Sequence, residues 1–166
     1  MLYYPDLPDV GKYKEKATRF LINGISREAD ARSSTVYAGQ KVKDAFIGAN
    51  FFDTMACNHH RYLNIGYMVI CLSNIAMLHF SFKARGQKAP AALYHNVPRL
   101  WQLVRSCTFP DGRLWRIGGD TRVRYSYCQD YALPMWALLQ DMYQEDCSGF
   151  EKGWLDILEE EVNYNG

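Results

Sequence analysis

The sequence predicts an all-α protein, and three observations carry that expectation. Apolar residues recur at helical spacing in several stretches. Alternating apolar and polar residues are scarce, so at most one short strand pairing is expected, around 121–127. The helical stretches are separated by connections of unequal length with no fixed-period repeat, which favours an array of antiparallel helical hairpins. With 166 residues, 48% of them apolar, the chain can close one sizeable core. Residues 1–166 read as a single helical domain, expected to be part of a larger protein.

Each element follows from local signals. Asp9 is placed to cap a first helix over 10–31, whose apolar positions Tyr13, Ala17, Phe20, Leu21 and Ile25 form one stripe. The run 32–40 breaks that pattern, and a short helix or irregular segment follows over 41–52. A long helix is expected over 60–84, ending before Arg85-Gly86, where glycine accepts a left-handed cap. Pro90 stands near the start of the next helix, 90–107, and Pro98 inside it predicts a kink or a late start. Helical character returns over 124–143, where Pro134 again implies a kink or a fresh start. A final helix over 148–161 places Phe150, Trp154, Ile157 and Leu158 on one side and glutamates on the other.

Composition excludes several classes. Nineteen basic residues against 18 acidic ones give a formal charge of +1, and no helix carries a basic stripe, so nucleic acid is not an expected partner. Charge is nonetheless uneven: residues 99–124 hold six arginines and two aspartates, a local field suited to an anion. Five cysteines without a CxxC pair form neither a disulfide framework nor a zinc site, and they read as free thiols. No cofactor is implied. The apolar run 62–82 is long enough to span a bilayer, but Asn64, Ser73, Asn74 and His79 interrupt it, which favours a central helix buried on nearly all sides over a membrane span. No secretory signal opens the sequence, so a cytoplasmic location is expected if the chain is complete.

Two stretches carry chemistry. Residues 109–131, FPDGRLWRIGGDTRVRYSYCQDY, combine turn residues, arginines and aromatic rings in a connection far longer than a helix pair needs. Arg122 and Arg124 suit bidentate contact with a carboxylate or sulfate, or internal pairing with Asp111, Asp120 or Asp130. The second stretch, Asn58-His59-His60-Arg61-Tyr62, holds proton-transfer groups at the head of the long helix. On a helix, His59 and Tyr62 would occupy neighbouring faces, either acting in proton transfer or satisfying buried polar groups. A metal at Cys57, His59 and His60 lacks a fourth ligand of recognisable spacing.

FFDTMACNHHRYLNIGYM, followed by a paired helix and FPDGRLWRIGGDTRVRYSYCQDY, resembles the helical domain of heparinase II/III-like and alginate-lyase-like polysaccharide lyases over about residues 51–140. The resemblance implies an incomplete (α/α) toroid and β-elimination on a uronate-containing polysaccharide. It assigns Asn58 to neutralising the uronate carboxylate, His59 to abstracting a proton, and Tyr125 or Tyr127 to protonating the leaving oxygen, with Tyr62 a weaker candidate for that acid. Arg122, Arg124, Trp115 and Tyr62 would bind the acidic chain, with no metal required. NHH departs from the family's usual context after the asparagine. Two alternatives stay open: a glycoside hydrolase on the same architecture, using a pair from Asp120, Asp130 and Asp53, or a non-catalytic module that binds glycan or a partner chain.

Overall fold

The computed structural model describes residues 6–59, 62–115 and 128–165. Among them are six helices: α1 (Val10–Gly24), α2 (Val42–Ala45), α3 (Ile65–Lys83), α4 (Val97–Ser106), α5 (Ala132–Tyr143) and α6 (Ser148–Asn165). Two antiparallel pairs of short strands accompany them, β1 (Val36–Tyr37) with β2 (Gln40–Lys41) and β3 (Asn58–His59) with β4 (Tyr62–Leu63). The described chain is thus mostly helical, as its periodicity predicts.

The main core forms around α3, which packs most extensively on α5 and also against α4. Met68, Val69, Leu72 and Ala76 of α3 are fully buried. Each of the larger three contributes roughly 1.5–3 kcal/mol by leaving water. Leu100, Trp101 and Val104 of α4 meet them, with Met135, Trp136 and Leu139 of α5. α6 adds Trp154 and, partly buried, Phe150, Ile157 and Leu158, the face its sequence predicts. A smaller core joins Ile22 of α1, Val42 and Ala45 of α2, and Ala92, with Leu21 and Tyr37 against it.

The proline and glycine signals are realised. Pro98 lies in the first turn of α4, so the helix starts late; a 3₁₀ turn, Ala91–Tyr94, occupies the preceding residues. Pro134 lies in the first turn of α5. Gly86 has φ +62° and donates its N–H to the Lys83 carbonyl, closing α3. α3 is the one described helix long and apolar enough to cross a bilayer; 44% of that apolar window is buried and Met77 and Leu78 are exposed, so it is less enclosed than the sequence predicts.

Four expectations are corrected. α1 stops at Gly24 rather than 31, and a separate 3₁₀ turn, Glu28–Arg32, follows. Asp9 does not cap it: it is left-handed (φ 60°), makes no capping bond, and pairs with Lys12 at 3.0 Å. The buried face of α1 also differs from the apolar stripe, since Tyr13 and Phe20 are exposed while Thr18, Ile22 and Asn23 are buried. The cause is tertiary. The Asn23 amide donates to the carbonyls of Arg19 (2.8 Å) and Ala45 (2.9 Å) and accepts from the Ile47 N–H (3.0 Å), which turns that face toward the α2 segment. Finally, α3 begins at Ile65, not 60, because Asn64 caps it by accepting from the Tyr67 N–H at 3.2 Å.

Candidate functional site

Asn58 and His59 therefore stand on β3, not at the head of a helix. The register sets Asn58 opposite Leu63 and His59 opposite Tyr62. The helical i, i+3 relation expected for His59 and Tyr62 is replaced by a cross-strand one. Asn58 is exposed, and its backbone N–H donates to the Asn50 carbonyl at 3.0 Å. Phe51 bridges to both Arg27 and Cys57, so three backbone segments run side by side from Arg27 to the start of β3. At the usual strand spacing, Arg27 and Cys57 are about 10 Å apart across that patch. The side chains of His59 and Tyr62, and all of His60, lie outside the described residues.

The foot of the long loop is tightly built. The Gly112 N–H donates to the Phe109 carbonyl (2.9 Å), and the Phe109 N–H to the Arg113 carbonyl (2.8 Å), closing a turn over Pro110-Asp111. Gly112 is required there. Its φ is +81°, and a Cβ would stand 2.8 Å from the Trp136 ring and closer still to the Phe150 carbonyl. Gly153 of α6 makes room from the other side, because a Cβ on it would lie 2.7 Å from the Asp111 Cα. Gln129 ties the far end of the loop back: its amide donates to the Gly112 carbonyl (2.8 Å) and accepts from the Leu114 N–H (2.7 Å).

This turn presents an aromatic surface. Phe109 and Trp115 are both exposed, with ring centroids 5.8 Å apart. The Arg113 guanidinium lies 5.8 Å from the Phe109 centroid and is anchored by Asp111, at 2.8 Å from Nε and 2.7 Å from Nη2. That pairing with Arg113 and with its N–H holds the Asp111 carboxyl below the usual range, so Asp111 serves the turn rather than proton transfer. The expected groups Asp120, Arg122, Arg124, Tyr125 and Tyr127, and the expected strand over 121–127, lie outside the described residues.

Other candidate groups are engaged or suppressed. Asp53 accepts from the Ala29 N–H at 3.1 Å and faces Arg27 at 3.8 Å. Asp130 is exposed. Burial pushes the Cys57 thiol up to about 11, and the neighbouring Cys71 adds to the shift, so Cys57 is a poor nucleophile and a poor metal ligand at neutral pH. No group of three His, Cys, Asp or Glu side chains suited to a metal occurs among the described residues.

Two polar networks were not apparent from sequence. In one, the buried Asp30 carboxylate Oδ2 receives the Arg27 N–H (3.0 Å), the Asn96 amide (2.9 Å) and His95 Nε2 (3.1 Å). Both Asn96 amide protons are committed, one to Asp30 and one to the Ile25 carbonyl at 2.8 Å. His95 Nε2 lies 3.1 Å from both the Asp30 carboxylate and the Asn96 amide, and its Nδ1 lies 3.3 Å from the Tyr37 hydroxyl. Burial raises the Asp30 carboxyl, but the bonds from His95, Arg27 and Asn96, with the charge of His95, outweigh it and hold the group low. Burial and the Asp30 charge raise Tyr37, which stays a proton donor at neutral pH. In the other network, His79 of α3 contacts the Tyr94 hydroxyl (2.7 Å) and Asp141 of α5 (2.8 Å), and Lys83 pairs with the same carboxylate. The adjacent residues Tyr94-His95-Asn96 were the one local hint, three polar groups inside a stretch read as helix.

Asp30, His95 and Asn96 line an open cleft of about 470 Å³ whose walls include Tyr37 and Tyr94 and whose lining includes Arg27 and Arg99. The chain matches no protein-family model, no characterised protein and no solved structure. Its chemistry is read from its own residues.

Proposed function

We propose that the chain is a carbohydrate-active helical domain of the polysaccharide-lyase kind, handling an acidic, uronate-containing polymer, and that its hairpins belong to an incomplete (α/α) toroid. The observation that carries the reading is the exposed Phe109–Trp115 ring pair beside Arg113. Flat apolar rings next to a guanidinium suit sugar faces that alternate with carboxylates. The ring pair stands at the foot of the loop that continues toward Arg122, Arg124, Tyr125 and Tyr127. In this reading Asn58, exposed on β3, neutralises the uronate carboxylate. His59 removes the acidified proton, and Tyr125 or Tyr127 protonates the leaving oxygen. The neutraliser stabilises the developing enolate, as donors do at oxyanion sites, where one donor contributes about 3–4 kcal/mol.

The test is incubation of the complete parent protein with heparin, alginate and related polymers, following the absorbance of the unsaturated uronate. Asn58→Ala is expected to lower the rate at least about a hundredfold, in line with loss of one oxyanion donor. Trp115→Ala is expected to raise KM more than it lowers kcat. Full activity of a folded Asn58→Ala variant would remove that residue from the mechanism. Chain cleavage without a new double bond would favour a glycoside hydrolase, and binding without turnover a non-catalytic module.

A further inference from the structure

We infer that the cleft over Asp30 and His95 is a second binding site, which takes a monosaccharide-sized anion: a hydroxylated ring carrying one carboxylate or phosphate. It is separate from the Phe109–Trp115 surface and does not depend on elimination chemistry at Asn58. The volume, about 470 Å³, falls within the range of small-molecule sites. The lining mixes polar and apolar surface, and its polar groups offer directed hydrogen bonds.

Charge decides which ligand fits. Two arginines, Arg27 and Arg99, line the cleft against one carboxylate, Asp30. Arg27 also faces Asp53, outside the lining, at 3.8 Å, so Arg99 is the guanidinium left without a carboxylate among the described residues. The Asp30 Oδ1 is 4.0 Å from Arg27 Nε, beyond hydrogen-bond reach. Arg27 Nε is buried with no hydrogen-bond partner among the described residues, and an orphaned buried donor costs about 1–3 kcal/mol unless something fills the place. Arg99 is exposed and has no side-chain partner among the described residues. A bound anion would pair with Arg99 and could take the Arg27 Nε–H.

The remaining groups suit hydroxyls. Ser33, Thr35, Tyr37 and Tyr94 all line the cleft. The Tyr37 hydroxyl is held by His95, which is in turn held by Asp30, so its oxygen is positioned before any ligand arrives. That chain of bonds explains why a buried carboxylate and a buried imidazole are placed at the bottom of an open cleft.

The experiment is calorimetric titration of the full 166-residue chain with glucuronate, glucose 6-phosphate and glucose. At least one of the two anions is expected to bind saturably in the millimolar range, with glucose at least tenfold weaker; which anion binds identifies the acidic group. Arg99→Ala, at an exposed position, is expected to weaken the anion at least tenfold. Tyr37→Phe, which keeps the ring, is expected to weaken it severalfold, and Arg19→Ala on α1 is expected to change nothing. Absence of saturable binding by both anions would overturn the inference, as would equal binding of glucose or unchanged affinity in Arg99→Ala. Asn58→Ala is expected to bind the anion normally, so failure of the elimination reading and failure of this one give different results.

Discussion

His79 joins three parts of the molecule because its two ring nitrogens have different partners, the Tyr94 hydroxyl and the Asp141 carboxylate. It is buried on α3, so removing the ring takes a partner from both groups and opens a gap between α3 and α5. His79→Ala is expected to destabilise the fold by about 1–3 kcal/mol, the usual cost of breaking such bonds. Urea unfolding measures it, and a loss below about 0.5 kcal/mol would show that Lys83 and water replace the imidazole. The surrounding tyrosines are held protonated. Burial raises Tyr143 to about 12, and the nearby Tyr94 and Tyr37 contribute to the shift. These phenols can donate protons near neutral pH but are poor bases there. None of this pairing was legible in the sequence: His79 and Asp141 are 62 positions apart, and nothing local to either names the other.

At the scale of elements, the Asp111-Gly112 turn shows how a loop gains rigidity without secondary structure of its own. It is wedged between Trp136 of α5 and the first turn of α6, and both Gly112 and Gly153 owe their identity to that close approach. Gly112→Ala combines a strained φ with a backbone collision and is expected to cost at least about 2 kcal/mol, more than the entropy it saves. Thermal unfolding checks the prediction, and a midpoint equal to the parent's would mean that the turn moves freely off α6. Turn chemistry was readable here, since Asp-Gly announces a tight bend. What the bend packs against was not. The same division holds for α1, whose apolar stripe suggested that Tyr13 and Phe20 are buried, while the hydrogen bonds of Asn23 select the neighbouring face.

For the whole molecule, the Asp30 network lies where the two cores meet. Tyr37 packs on the smaller core, Ile25 belongs to the larger, and Asp30, His95 and Asn96 bond between them. This makes overall stability sensitive to acid. The Asp30 carboxyl is held below its usual value in the fold. Its contribution is therefore fully present above the unfolded pKa of about 3.9 and is lost as the pH falls through the lower folded value. Asp141, lowered by Lys83 and then by His79, acts in the same direction. Stability is expected to be level with respect to these carboxyls above about pH 5 and to fall below about pH 4. Asp30→Asn is expected to be less stable at neutral pH and to show a shallower decline in acid. Chemical unfolding across that range tests it, and curves of equal slope for the two proteins would show that Asp30 contributes nothing to the acid transition.

Local signals by themselves determined the helical class, an interruption at Pro98 and at Pro134 that was open as a kink or a new start, the close of α3 at Gly86, and the apolar face of α6. Each rests on a backbone restriction or a periodicity that acts over a few residues. Tertiary structure alone decided that Asn58 stands on a hairpin, that α1 buries Asn23, and that Asp30 meets His95 across 65 positions. Those outcomes depend on which buried polar groups find partners, and a buried donor or acceptor is satisfied by whatever the packed chain brings within reach, at any separation in sequence.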